Sequence, residues 1–462
     1  MKGLFIIAAL GILAMLAEIF KFKKVLYPLV LVGILGAYAA NFTEWNNTLN
    51  IPAFSNMIMF DNVALVFSGV ILITAFFWFI LANDYFEHDH ITDHFALVLF
   101  SLVGALMLTS FSNMTTLFLG VEILSIPMYV LAASQKRLVV SNEAGFKYLI
   151  MGSFASGFLL FGIALIYGAT GSFDLMEIRS YITQSNGNMP AFFYAGVVVI
   201  LAAMSFKVSA APFHFWAPDV YEGSPTVITT LMITIVKTAA FAAFMHLFLV
   251  VFGKVNDVWG MVLACIIALS LVISNVTAAT QTNVKRLLAY SSISHAAFML
   301  MAILANSRPW GSINSVLYYT LAYSISSITA FTVLYNVAKN KNSEEISAFN
   351  GLGKKHPLMA LCMVIALFSL AGIPVTAGFF AKYYVFSVLV GTTYKWLMVI
   401  AILASLVGVY YYFKIIIAMY FKHDESHEPI KIEFSHVLLM IITTLITLAI
   451  GIVPGYIVEI FG

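Results

Sequence analysis

Long apolar runs, separated by short polar stretches, recur along almost the whole chain. A helix needs about 20 apolar residues to cross the hydrocarbon core of a bilayer. We count fourteen runs near that length and number them spans 1–14. They lie near residues 3–20, 25–40, 58–82, 95–110, 114–133, 144–168, 190–213, 225–252, 258–280, 286–304, 312–338, 357–390, 395–420 and 434–460. The pattern predicts an all-α polytopic membrane protein with about fourteen transmembrane helices.

The composition excludes several classes of function. Only 10% of the 462 residues are charged and 62% are hydrophobic, whereas soluble domains have roughly 25% charged residues. The net charge of +2 gives no reason to expect nucleic acid as a partner. Cys265 and Cys362 lie far apart in apolar runs, and the sequence has no Cys/His metal motif and no nucleotide-binding glycine motif. We therefore expect no cofactor and no metal in this chain, and neither a redox enzyme nor an ATPase that works alone.

The basic residues test the number and direction of the spans, because they concentrate in cytoplasmic loops. With both termini outside, thirteen of the 23 basic residues fall in inside loops and five in outside loops. This distribution supports an even number of spans. The first run resembles a signal peptide in having Lys2 before an apolar stretch, but its core is long and no small-residue cleavage site follows Glu18. We therefore interpret it as span 1.

The ends of spans 6 and 11 suggest an internal repeat. Tyr167 precedes Glu177 by ten residues, and Tyr335 precedes Glu345 by the same distance. Spans 4–8 and 9–13 are then two copies of one five-helix unit. Five is an odd number, so the second copy starts from the opposite side of the membrane, as in the inverted repeats of many transporters.

Spans 7 and 12 are both long apolar runs interrupted by small residues and a proline, Pro212 in one and Pro374 in the other. Proline and glycine break helices, so we predict that both spans are discontinuous. The predicted organisation has four parts: an N-terminal segment 1–94, a first repeat 95–252, a second inverted repeat 258–420 and a C-terminal helix 434–462.

Five ionisable side chains stand out deep within apolar runs: Glu122, Lys207, Lys237, Lys382 and His295. Such a group costs about 2.5–3.5 kcal/mol at the centre of a bilayer on insertion scales, and is therefore a candidate for function. A buried lysine keeps its proton beside a carboxylate and releases it when the two separate. Together with nearby hydroxyl groups, these side chains form a possible proton relay.

Each of these groups also has a structural interpretation. A lysine near a span end reaches the membrane surface with its ammonium group, which explains Lys147 and Lys414 but fits the three relay lysines poorly. Glu122 forms either a structural ion pair or a working one. His295 is either a hydrogen-bonded histidine of the core or a member of the relay.

Five sequence blocks, in this order, resemble one protein family: GVEILSIPMYVLAA, EAGFKYLIMGSFASGFLLFGIALIYGATGSFDL, FKVSAAPFHFWAPDVYEGSPTVIT, NVKRLLAYSSISHAAFML and AGIPVTAGFFAKYYVF. They are similar to the antiporter-like subunits of respiratory complex I. The resemblance implies fourteen helices, two inverted five-helix repeats and discontinuous spans 7 and 12. It further implies that Glu122 and Lys207 pair between spans 5 and 7, that Lys237 connects the two halves, and that Lys382 exchanges protons with the far side.

Three features distinguish between the branches of this family. Span 12 carries a lysine, Lys382, where another branch has a glutamate; no long extension follows span 14; and the FKYLIMGSFASGFLLFGIALIYGATGS block is typical of one branch. The resemblance implies a proton-translocating, non-redox subunit of a bacterial NADH:quinone oxidoreductase, driven by quinone reduction elsewhere in the complex. The implied partners are neighbouring membrane subunits, lipid and, indirectly, the redox arm; the implied location is the inner membrane, with both termini on the periplasmic side.

Three alternatives remain at this point. A subunit of an Mrp-type multisubunit Na⁺/H⁺ antiporter is homologous and shares the glutamate and the lysines. A membrane subunit that only holds its neighbours together predicts that removal of the buried charges leaves transport intact. A stand-alone solute transporter predicts activity from this chain alone.

Overall fold

The computed structural model describes residues 1–20, 22–46, 54, 56–86, 91–185, 187–306, 309–423 and 430–455, and these residues are largely helical. The α-helices in chain order are α1 (Lys2–Ile19), α2 (Lys23–Phe42), α3 (Asn62–Leu81), α4 (Ile91–Ser110), α5 (Met114–Ala132), α6 (Val139–Thr170), α7 (Leu175–Gln184), α8 (Ala191–Lys207), α9 (Trp216–Gly223), α10 (Thr226–Leu231), α11 (Lys237–Met245), α12 (Asn256–Thr280), α13 (Val284–Leu304), α14 (Pro309–Lys341), α15 (Leu352–Lys355), α16 (Pro357–Ala371), α17 (Ala377–Leu389), α18 (Leu397–Phe421) and α19 (Phe434–Ile452). Two π-helical turns, Met232–Val236 and His246–Val251, continue α10 and α11.

Twelve helices of the described residues are long and apolar enough to cross a membrane, and they coincide with every predicted span except 7 and 12. In span 7 the helix α8 ends at Lys207, and the short α9 begins at Trp216, just beyond the predicted end of the span at residue 213; span 12 is divided into α16 and α17. The prediction of two discontinuous spans is confirmed, while the count of fourteen crossings stays a prediction. The predicted C-terminal helix 434–462 is present as α19, and residues 456–462 lie outside the described residues.

The sequence analysis missed α7, which is too short and too polar for a span. Asp174 begins this helix, because its carboxylate accepts hydrogen bonds from the backbone N–H groups of Met176 and Glu177 at 2.8 and 3.1 Å. An acidic N-cap followed three residues later by glutamate is the signature of a helix start. The signal was therefore present in the sequence, but a search for apolar runs cannot detect it.

The fold divides into two compact units, of which the first contains Met1–Ser209 and Ile235–Leu263. Side-chain caps begin some of its helices: Asn113 accepts from the N–H of Thr115 at the start of α5. Its helices also approach closely at glycines. A Cβ on Gly104 of α4 would lie 2.3 Å from the backbone nitrogen of Leu124 in α5. Small residues let transmembrane helices pack backbone to backbone, which fixes α5 and its polar side chains.

The second unit contains Ala210–Thr234 and the described chain from Ala264 onward. Its centre is formed by α13 and α14. In the apolar stretches of these two helices, 94% and 89% of the residues are buried. The two halves of span 12 pack against each other at Gly378, where a Cβ would lie 1.8 Å from the carbonyl oxygen of Ser369. The boundaries of the units fall inside spans 7, 8 and 9, so they differ from the predicted repeat boundaries, which stay predictions.

One local feature of the first unit has a counterpart in the second. A short antiparallel bridge joins Asn113 to Asp174 in the first unit and Asn283 to Glu345 in the second, and two backbone hydrogen bonds of 2.8–3.0 Å flank each bridge. Each asparagine caps the helix that follows it. This correspondence favours the predicted repeat but changes its register, because Asp174 rather than Glu177 is the counterpart of Glu345.

Candidate functional site

Lys207 is the last residue of α8, at the point where span 7 breaks. Its Nζ donates a hydrogen bond to Oγ of Ser125 on α5 at 2.9 Å. The Ser125 hydroxyl in turn donates to the carbonyl of Val121 at 2.6 Å, which turns its lone pairs toward the ammonium. The half-buried lysine is therefore held by a neutral hydroxyl group.

Glu122 lies three residues before Ser125 on the same helix, which places both on one face of α5. It interacts electrostatically with Lys207, but its Oε1 is buried without a hydrogen-bond partner in the described part of the chain. The two side chains form no direct ion pair in the described residues, and the pairing implied by the family resemblance stays a prediction. Sequence reasoning missed Ser125, although its position one turn from Glu122 was a usable signal.

Lys237 is almost fully buried, with 1% of its surface exposed. It begins α11 directly after the π-helical turn Met232–Val236. Such turns are uncommon and often occur at functional positions. Thr238, which follows it, is also buried. The sequence-based expectation of a deeply buried lysine in span 8 is confirmed, and its role as a connecting group stays a prediction.

Lys382 of α17 lies at the break of span 12 and is 9% exposed. Its Nζ donates to the carbonyl of Ala371, the last residue of α16, at 2.7 Å, and to Oγ of Ser405 at 3.3 Å. The ammonium also lies 5.0 Å from the ring centroid of Phe298. The C-terminal end of a helix carries a partial negative charge that stabilises a cation. Carbonyl, hydroxyl and aromatic ring hold this lysine without an ion pair in the described residues.

Gly372 makes room for that arrangement. It ends α16 with a φ of 84°, a conformation that favours glycine. A Cβ at this position would lie 2.9 Å from Cδ of Lys382. The break of span 12 therefore needs glycine both for its backbone conformation and for the space that the lysine stem occupies.

His295 of α13 is buried in a network of hydroxyl groups. Its Nδ1 lies 2.8 Å from the hydroxyl oxygen of Tyr319, and its Nε2 lies 3.3 Å from that of Tyr412. Tyr412 also hydrogen-bonds to Ser291. A neutral imidazole donates through one nitrogen and accepts through the other, and the tyrosines can do either. The network thus satisfies a core histidine and also connects groups that are able to carry a proton, so both interpretations of His295 remain.

A small cavity of about 10 Å³ lies beside this network, the volume that one water needs. Its polar lining comes from His295, Tyr319 and Tyr323 on one side and from Ser369 at the span 12 break on another. The cavity also reaches Ala381, the residue before Lys382. The cavity thus lies between His295 and the residue that precedes Lys382 in the chain.

Two further basic residues, Lys285 and Arg286, fix the turn between α9 and α10. The sequence analysis did not identify this cluster of ion pairs. Lys285 is 3% exposed, and its Nζ donates to the carbonyl of Ser224 at 2.6 Å and to Glu344 at 3.1 Å. Arg286 forms an ion pair with Asp219 at 3.3 Å and a second one with Glu222. Lys285 and Glu344 are 59 residues apart, so no local sequence pattern could have shown this contact.

Lys147 and Lys414 were interpreted as side chains that reach the membrane surface. Lys147 forms an ion pair with Glu143, one turn earlier on α6, at 2.8 Å. Lys414 instead donates to the carbonyls of Ala279 and Gln281 at 3.0 Å each, at the C-terminal end of α12. The partner of Lys414 is therefore a helix end, where a cation is favoured.

Comparisons with known proteins agree with the resemblance in sequence. A family described as "NADH:quinone oxidoreductase/Mrp antiporter, TM" matches residues 112–408. A protein of Flavobacterium psychrophilum named NADH-quinone oxidoreductase subunit N is 41% identical over 99% of this chain and 100% of its own length. One of the same name from Cytophaga hutchinsonii is 42% identical over 100% of this chain and 99% of its own.

Solved structures have the same fold. A chain of respiratory complex I from Thermus thermophilus superposes with a TM-score of 0.83 at 30% identity, covering 99% of this chain and 98% of that one. A chain of the Mrp complex from Dietzia reaches a TM-score of 0.86 over 100% and 96% of the two chains. The identity in the second case is 18%, so this likeness concerns the fold alone.

Lys382 and the sequence block in α6 pointed to one branch of the family. That branch is subunit N, and the full-length relatives confirm it. This polytopic membrane chain belongs to the NADH:quinone oxidoreductase/Mrp antiporter transmembrane family, in the group of NADH-quinone oxidoreductase subunit N proteins.

Proposed function

We propose that this chain is a proton-translocating, antiporter-like membrane subunit of an NADH:quinone oxidoreductase. The observation that carries the proposal is the pair of lysines at the two helix breaks, Lys207 and Lys382. Neither forms an ion pair in the described residues, and neutral groups hold both. An ammonium held by a hydroxyl or a carbonyl loses little hydrogen bonding when it becomes an amine, because the amine still accepts or donates. Such a group suits repeated release and uptake of a proton.

In the proposed relay, Glu122 and Lys207 form the first element, Lys237 connects, and Lys382 exchanges protons with the far side. Movement of Glu122 toward or away from Lys207 changes how strongly the ammonium holds its proton. Moving one charge against 100 mV costs about 2.3 kcal/mol. The energy comes from quinone reduction elsewhere in the complex, and His295 is a further candidate member of the relay.

The role of this chain within the enzyme is non-redox. Its sequence has no motif for flavin, nicotinamide or an iron–sulfur cluster, so we assign no cofactor and no metal to it. Its proposed partners are neighbouring antiporter-like membrane subunits and lipid, with the redox arm coupled indirectly. Its proposed location is the bacterial inner membrane, with both termini on the periplasmic side, as the distribution of basic residues indicates.

An Mrp-type Na⁺/H⁺ antiporter subunit is the less supported alternative, because the full-length relatives carry the subunit N name. A purely structural subunit is disfavoured by the buried lysines. Replacing buried charges with apolar groups of similar size often stabilises a protein, so a chain that only held its neighbours together would gain by losing them.

The test is the substitution of each break lysine, Lys207→Ala and Lys382→Ala, in the intact complex. We expect both variants to assemble but to lose most proton pumping and most coupled NADH:quinone turnover. Vesicle acidification and NADH oxidation measure the two quantities, and co-purification of the flavin- and iron–sulfur-bearing subunits checks assembly. Lys147→Ala is the matched control, because this lysine is partly exposed and forms an ion pair with the exposed Glu143 of its own helix. Normal pumping by both break variants would rule out the relay.

A further inference from the structure

Phe298 contacts two polar groups of the second unit. It is buried at 1% exposure, and its ring centroid is 5.0 Å from Nζ of Lys382. The ring also stacks on Tyr319, with 6.2 Å between centroids and 18° between planes. The Tyr319 hydroxyl in turn lies 2.8 Å from Nδ1 of His295. One aromatic ring therefore contacts both the ammonium of Lys382 and the hydrogen-bond network of His295.

The contact that Phe298 makes with Lys382 and Tyr319 is apolar, because its ring has no atom that can accept or donate a proton. The ring of Phe386, on α17, packs edge-on against Phe298, with 6.0 Å between the ring centroids. Apolar constrictions of this kind exclude water and act as gates in channels. A proton cannot pass such a barrier without a water beside the ring.

The groups that would receive such a water are already in place. The small cavity lies beside Tyr319, which stacks on Phe298. Its polar lining consists of the imidazole of His295, the hydroxyls of Tyr319 and Tyr323, and Ser369 at the span 12 break. A buried water needs two to four polar partners, and these four side chains are the polar groups of an otherwise apolar lining. The same cavity ends at Ala381, next to Lys382.

We propose that Phe298 is an aromatic barrier in the proton path between His295 and Lys382. The proposal rests on the proposed function of the chain as a proton relay. While Lys382 is charged, its attraction to the ring holds the barrier closed. When the ring turns aside, water joins the two groups. A proton that leaves Nζ of Lys382 then reaches a ring nitrogen of His295, so that an ammonium and an imidazole become an amine and an imidazolium. The reverse transfer uses the same water.

If Phe298 is a barrier, removal of its ring should let pumped protons leak back across the membrane. In Phe298→Ala we expect NADH oxidation at the normal rate or faster, with loss of most vesicle acidification per NADH and no further acceleration by a protonophore. In Phe298→Met, which keeps an apolar side chain of similar volume, we expect the acidification per NADH of the unaltered complex. Both are measured on the whole complex in membrane vesicles. Because truncation of a buried ring can prevent assembly, Phe298→Val serves as a second opening variant and should leak to a smaller extent.

The matched control is Phe386→Ala, which removes an equal volume beside Phe298 and leaves the Phe298 ring in place. We expect this variant to remain coupled. Two results would overturn the barrier: unchanged acidification per NADH in both Phe298→Ala and Phe298→Val, or a parallel fall of NADH oxidation and acidification in them. The second result would mean that the ring only supports the packing or positions Lys382.

The double substitution Phe298→Ala with Lys382→Ala separates this proposal from the relay itself. If the leak passes through Lys382, the double variant no longer leaks. If Lys382→Ala alone pumps normally, the relay fails whatever Phe298 does. If Lys382→Ala abolishes pumping while the opened variants stay coupled, the relay stands and only the barrier fails.

Discussion

Lys207 and Lys382 occupy the two broken spans, each within its own unit, and they differ in which half of the span carries the side chain. Lys207 ends the first half, α8, and its ammonium contacts a neighbouring helix through the Ser125 hydroxyl. Lys382 belongs to the second half, α17, and its ammonium contacts the end of the first half at the Ala371 carbonyl. In the first unit the partner is a side chain, and in the second the nearer partner is a backbone carbonyl.

This difference has consequences for control. Ser125 is three residues from Glu122 on α5, so the surroundings of Lys207 include an acidic side chain that acts on it electrostatically. Lys382 has instead the end of α16, whose partial charge depends on the ordered helix. The first lysine should respond to movement of a carboxylate, and the second to changes in the geometry of the break.

The largest effect is expected from Gly372→Ala, which should displace Lys382 by changing the backbone at the break of span 12. The left-handed conformation costs roughly 1–2 kcal/mol for a residue with a Cβ, and that Cβ would also lie 2.9 Å from Cδ of Lys382. We expect pumping and coupled turnover to fall nearly as far as in Lys382→Ala, as measured by vesicle acidification and NADH oxidation. Gly391→Ala is the control, because its Cβ would meet no atom within 4 Å. A fully active Gly372→Ala complex would show that the break does not control Lys382.

An intermediate effect is expected from Ser125→Ala, which removes the hydroxyl that holds Lys207. A hydrogen bond to a charged group contributes about 1.5 kcal/mol, and that amount corresponds to about a tenfold change in an equilibrium. The counterpart in the second unit is Ser405→Ala. Its hydroxyl is 3.3 Å from Lys382 and the Ala371 carbonyl remains, so we expect only a few-fold loss. The steady-state pumping rates of the two variants, compared at equal assembly, measure this difference. Equal losses would mean that hydroxyl groups hold both lysines alike.

Much of this arrangement follows from the sequence, because apolar run length and rare buried charges are strong signals. The bounds of most spans, the two broken helices and the position of the buried lysines were predicted from them. The direct partners were not. Serine is common in membrane helices, so Ser125 becomes informative only once α5 is seen to present it to Lys207.

The contact of Lys382 with the Ala371 carbonyl was hidden for a different reason. It involves a backbone atom, and sequence carries no information on which carbonyl a break leaves available. Likewise, the barrier at Phe298 depends on three helices meeting at one ring, whereas its sequence, SHAAFML, resembles any apolar stretch. Proximity across helices is set by packing, and single-sequence periodicity reports only the face of each helix.

The smallest effect concerns how the first half of each broken span begins. Pro190 precedes α8, whereas His356 precedes α16 and accepts a hydrogen bond from the backbone N–H of Ile430 at 3.3 Å. Burial, with further contributions from Lys355 and Lys341, lowers the pKa of His356 below its usual 6.5. The folded state therefore binds this proton less readily than the unfolded state, so stability is complete above pH 6.5 and is lost as the pH falls below it. We expect the second unit to lose thermal stability slightly between pH 6.5 and 5.5, and His356→Gln to reduce that dependence, in melting curves of the detergent-solubilised complex. If His356→Gln leaves the pH dependence unchanged, another group causes it. The N-terminal ends of α8 and α16 would then not differ in their effect on stability.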